Sequence, residues 1–100
     1  MTSKQIHRDL TVKDILEVLA NYELIHQRLP TGMVRGMCVE GENAIYVDNR
    51  TNGTERIEVI VHELYHAKHF IRDEPNSERR VKAETKQFMD KFYLNERREI

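Results

Sequence analysis

His62, Glu63 and His66 stand in the chain as His62-Glu63-Leu64-Tyr65-His66, an H-E-x-x-H pattern. On a helix, residues four apart lie one above the other on a single face. Two imidazoles so placed can take one Zn²⁺ at about 2.0–2.1 Å, the distance that catalytic zinc sites use. Glu63 falls on the flank of that face, able to touch a water at the metal without taking a coordination position. That is the arrangement of a general base in metal-assisted hydrolysis of peptide bonds. With 5 His and 12 Glu in 100 residues, chance produces the pattern in about 3% of such chains, so it needs a helical context to carry weight.

The sequence predicts that helix. Ile57, Ile60, Leu64, Ala67 and Ile71 line up at about 100° per residue into one apolar stripe. A helix over residues 55–72 follows, capped by Thr54, with His62, His66 and His69 on the face opposite the core, toward a cleft or solvent.

A catalytic zinc needs a third protein ligand and keeps a fourth position for water. The candidates are His69, Glu78 and Glu84. His69 stands one full heptad from His62, about 10 Å along the axis, so one ion cannot reach both. The break at Asp73-Glu74-Pro75-Asn76 and a cap at Ser77 predict a third helix, returning antiparallel and running to residue 94. It carries Val81, Phe88, Met89 and Phe92 toward the core. His66 lies about six residues before the end of the second helix, and about six residues into the third comes Glu84. On this count Glu78 sits level with the far end, and His62, His66 and Glu84 are the expected ligands.

Further upstream, Thr11 with Asp14 reads as a capping box. Val12, Ile15, Leu16, Leu19, Tyr22 and Leu29 recur at helical spacing until Pro30, which predicts a first helix over 12–29. Met33 to Val39 and Ala44 to Val47 are short strand-like runs around Glu40-Gly41-Glu42-Asn43, a predicted hairpin. The order α-ββ-α-α describes an α+β fold. Ala44–Val47 is the expected sheet edge beside the cleft, where an extended peptide could add as a strand.

Composition narrows the function. One hundred residues and 11.9 kDa suit a single domain over 1–100. No apolar run approaches the roughly 20 residues of a membrane span, and Met1 to Leu10 hold no signal-peptide core. A lone cysteine, Cys38, excludes an internal disulfide and suits a reducing compartment. The net charge is −1, with 6 basic and 7 acidic residues in the first half and 10 of each in the second. Neither half has the basic footprint of nucleic-acid binding.

His62-Glu63-x-x-His66 with a helical glutamate downstream resembles the gluzincin metallopeptidases, and more closely the ImmA/IrrE-type metallopeptidase domain. In that family a hairpin with an apolar strand precedes an H-E-L-G-H helix, and a helix with an E-A-x-x-F-A-like run follows. The matching stretches here are Gly36–Val39, Ala44–Val47, Val61–Ala67 and Ala83–Met89, so the resemblance covers roughly residues 33–92. Chain length and element order also resemble the minigluzincins. Tyr65 and Thr85 depart from the family, standing where a small residue and an alanine are usual. The resemblance implies a small zincin-like domain, Zn²⁺ held by His62, His66 and Glu84, and Glu63 as catalytic base. It also implies a cytoplasmic regulatory endopeptidase whose substrate is a protein of the transcriptional-repressor type.

Tyr46, Tyr65, His69 and Tyr93 are candidate donors to an oxyanion, and Cys38 reads as a small buried hydrophobe rather than a nucleophile. The competing function class is a zincin-like module that binds a partner protein and cleaves little, or a latent zymogen blocked by the tail Tyr93–Ile100.

Overall fold

The computed structural model describes residues 10–30 and 34–94, the side chains of residues 93 and 94 excepted. Among these residues the order is α1 (Val12–Asn21), β1 (Glu23–Gln27), β2 (Gly36–Val39), β3 (Ala44–Asp48), α2 (Gly53–Arg72) and α3 (Glu78–Phe88). A π-helical turn over Met89–Leu94 follows α3. The fold is a small α+β domain, as the sequence predicts, with one strand more than expected.

That strand comes out of the first predicted helix. Thr11 caps α1 through a full capping box with Asp14, the hydroxyl accepting from Asp14 N at 3.1 Å and the carboxylate from Thr11 N at 2.9 Å. The helix then ends at Asn21, where Tyr22 turns to extended backbone and β1 pairs in parallel with β3. Backbone pairing in the sheet overrides the helical spacing that continues to Leu29. In α1, Val18 and Asp14 face inward while Val12 and Leu16 are 72% and 63% exposed.

The sheet order is β1-β3-β2. β2 and β3 form the predicted antiparallel hairpin, closed by a 3₁₀ turn at Glu40–Glu42 and by Asn43 at φ 51°, a left-handed position that asparagine tolerates. β3 is therefore the middle strand, not the edge expected from sequence; Ile45 and Val47 are wholly buried. The edge near the histidine helix is β2. Its Gly36 lies so close to α2 that a Cβ there would stand 2.6 Å from Val59 Cγ1.

Helix α2 starts at Gly53, whose φ of 60° suits glycine, with Asn52 rather than Thr54 in the cap position. It is the central element, not an amphipathic helix with one polar face. From Val61 to His69 every residue but His62 is buried, His69 completely, whereas Ile57 of the expected apolar stripe is 39% exposed. Arg72 in its last turn reaches Asp14 at 2.7 Å and Glu17 at 3.1 Å, tying α2 to α1. Burial would raise the Asp14 carboxyl, but the Thr11 bonds together with Lys68 and Arg72 hold it below its ordinary range.

Helix α3 is capped by Ser77, which accepts from Arg80 N at 3.1 Å. Val81 and Met89 enter the core as predicted. Phe92 does not: the wider π turn carries it off the helical stripe, and it lies 46% exposed against Phe88. No helix among the described residues is long and apolar enough to cross a membrane.

Candidate metal centre

His62 and His66 lie on successive turns of α2, their ring centroids 5.0 Å apart. The carboxylate between them belongs to Glu78. Its Oε1 is 3.1 Å from His62 Nε2 and its Oε2 is 2.9 Å from His66 Nε2. These three side chains are the one His/Cys/Asp/Glu group among the described residues suited to a metal, with ligand atoms all within 4.8 Å of one another.

Glu84, the expected third ligand, is elsewhere: it is fully buried and bonds His69 Nε2 at 2.7 Å. The reason is the path of the connection after α2. Asp73 ends the helix in the left-handed conformation, its N–H bonding His69 O, and Glu74 N donates to the same carbonyl. From His66 to Arg72 is about 9 Å of helix, and the four residues Glu74–Ser77 can span about 13 Å when extended. The loop thus climbs back along α2 until Asn76 reaches His66, and the first turn of α3, not the second, faces the imidazoles. A signal was present in sequence: Pro75 keeps the residue before it extended, so this stretch travels rather than turning tightly.

Asn76 also sets the state of His66. Its amide Nδ2 donates to the His66 carbonyl at 3.1 Å, so its Oδ1 is the atom 2.8 Å from His66 Nδ1. An amide oxygen only accepts, which puts the ring proton on Nδ1 and the lone pair on Nε2. That Nε2 is buried and makes no hydrogen bond of good geometry, although Glu78 Oε2 is close. Two lone pairs thus face one another, an arrangement relieved by a second ring proton or by a cation. Burial, with His66 and Lys82 nearby, holds His62 below the ordinary imidazole range. Burial alone would raise Glu78, but His66 and His62 bring it below the ordinary carboxylate range. A neutral imidazole and an ionised carboxylate are the forms that bind metal. The Glu78 side chain is 69% exposed, so the centre opens to solvent on that side.

Glu63 projects from the adjacent face of α2 toward β2, its Oε2 3.1 Å from where a Gly36 Cβ would stand. Burial first, and the charge of Glu78 second, push its carboxyl up to about 8. A cleft of about 430 Å³ joins these groups, walled by Gly36, Val59, His62, Glu63, Glu78 and Lys82. Sequence reasoning weighed Glu78 but set it aside for Glu84, and it missed Asn76 and Lys82 as parts of the site.

The oxyanion candidates fall away from this cleft. Tyr46 donates to Glu42 at 2.6 Å, Tyr65 is 1% exposed within the core, and His69 is enclosed between two carboxylates. The Tyr93 side chain and residues 95–100 of the proposed blocking tail lie outside the described residues. Cys38 packs against the core, and burial, reinforced by Glu63 and Glu40, pushes its thiol up to about 12, far from a nucleophile's range.

No family model matches this chain, and no curated protein or solved structure matches it either.

Proposed function

We propose that the chain is a zinc-dependent endopeptidase of gluzincin type, with His62, His66 and Glu78 holding the metal and Glu63 as general base. One observation carries the reading: a buried, unsatisfied His66 Nε2, its tautomer set by Asn76, aimed at the same point as His62 Nε2 and a carboxylate. The orienting hydrogen bond on the opposite ring nitrogen is the usual support of a metal-binding histidine. Bound there, Zn²⁺ supplies a Lewis acid for the scissile carbonyl and acidifies the attacking water.

The chain's own residues do the rest. Glu63, on the face of α2 next to the imidazoles, would take the proton of the attacking water and return it to the departing amine. The cleft is bounded by the start of β2, the outer strand of the described sheet, so an extended peptide can lie along it. Lys82 is a cation on the cleft wall, placed to favour negative charge on the substrate. The substrate class is a protein or peptide, in line with the repressor-type substrate that the family resemblance implies. A single cysteine, half-buried and held as a thiol, accords with work in the cytoplasm.

The test is metal analysis followed by cleavage of an unfolded-protein or peptide-library substrate. The purified chain is expected to hold about one zinc, removable by chelator. Glu63→Gln is expected to keep the zinc and to lose about 10²–10⁴ in hydrolysis. A chain without metal after zinc-replete purification ends the proposal. Equal cutting by both proteins removes Glu63 from its role, and partner binding without cutting by either identifies a binding module.

A further inference from the structure

Behind the candidate metal centre a third imidazole is closed off from water. His69 and Glu84 are both wholly buried, positions that charged groups occupy only with partners. His69 Nδ1 lies 2.9 Å from Glu74 Oε1, and its Nε2 lies 2.7 Å from Glu84 Oε1. Carboxylate oxygens accept, so each contact holds its own proton and the ring is gripped at both ends. Tyr65 stacks on the ring, and Arg80 sits 3.4 Å from Glu84 Oε2 while donating to the Pro75 carbonyl at 2.8 Å. The groups come from three parts of the chain: His69 from α2, Glu74 from the connection, Glu84 and Arg80 from α3.

We infer that His69 is the positioning residue of the metal centre: by bonding Glu74 and Glu84 together it registers the connection and α3 against α2, and so brings Glu78 to the imidazoles. Glu78 is the first residue of α3 and its side chain is mostly exposed, so packing around it does not hold it in place. Its location follows from where α3 starts. Asn76 ties that start to His66, and the His69 bonds tie it to the next turn of the same helix. A buried polar set of this kind does little for stability that apolar side chains would not do as well. It does penalise a wrong register. Sliding α3 by one turn, about 5.4 Å, would carry Glu84 away from His69 and leave a carboxylate and an imidazole nitrogen buried without that bond. The inference rests on reading His62, His66 and Glu78 as the ligands.

The test uses the full chain and zinc alone. His69→Phe combined with Glu84→Leu removes both buried ends at once and fills their space with apolar atoms. This double variant is expected to keep wild-type helix content while its zinc affinity, measured by chelator competition, falls about 10–100-fold. Glu84→Gln, which keeps an acceptor for His69, is expected to bind zinc as the wild type does. Should the double variant not fold, His69→Gln, which donates from one end of its side chain only, carries the same comparison. A folded variant with wild-type affinity overturns the inference. A wild-type chain that binds no zinc overturns the metal reading instead, and hydrogen exchange of the metal-free chain then decides the positioning role. The amides of Asp73 and Glu74, bonded to the Phe70 and His69 carbonyls, should lose protection in the double variant while those of α2 keep it; equal protection there overturns the role.

Discussion

Helix α2 presents two imidazole–carboxylate clusters about one turn apart, and they differ in what remains after the hydrogen bonds are counted. At His69 both ring nitrogens have carboxylate partners, and the ring is fully buried. At His62 and His66 a single carboxylate serves two rings, one Nε2 is left unsatisfied, and a cleft of about 430 Å³ opens beside His62 and Glu78. Residue types are the same; the leftover bonding capacity is not. A closed set fixes structure, while an open set with an unsatisfied nitrogen facing an imidazole and a carboxylate can take a ligand.

The largest expected effect separates the two carboxylates. Glu84→Ala leaves His69 buried without its Nε2 partner and should cost about 3–5 kcal/mol of stability, a large share of the 5–15 kcal/mol typical of a domain. Glu78→Ala removes a mostly exposed side chain and should leave the melting temperature nearly unchanged, yet weaken zinc binding by a hundredfold or more. Thermal melts beside zinc titrations read both, and an exchange of the two phenotypes would break the comparison.

Next comes the cleft wall. Gly36→Ala forces a Cβ against Val59 and Glu63, and overpacking of this kind costs about 1–3 kcal/mol. Peptide hydrolysis should fall while zinc stoichiometry holds. Asn76→Ala, which frees the His66 ring, should lower zinc affinity about 10-fold or somewhat more with little loss of fold, as checked by circular dichroism.

The smallest effect belongs to a site remote from both clusters. Asp14→Asn weakens the α1 cap and the Arg72 link, and should cost about 1 kcal/mol without touching zinc affinity. Because folding lowers the Asp14 carboxyl, its contribution is present above the ordinary carboxylate range and fades as pH falls through the folded value. Wild type and variant should therefore converge in acid denaturation.

Local chemistry makes much of this legible in the sequence. The Thr11 box, the Ser77 cap and the β2–β3 hairpin each depend on residues within a few positions of one another. β1 was not legible, because Glu23–Gln27 is a lightly buried edge strand whose partner, β3, is distant in sequence. Nor was the burial of His69, since helical spacing describes one face of α2 while the fold covers it almost all round.

The sequence by itself determined the pair His62 and His66 with Glu63 between them, because a helix sets that spacing through its own backbone geometry. Only the tertiary structure decided which glutamate joins them. That choice turns on how far the connection climbs back along α2 before α3 begins, and the climb is held by Asn76 at His66 and Glu74 at His69. Contacts between elements set a register that no spacing within one element contains, and here the register gives Glu78 to the cleft and Glu84 to the core.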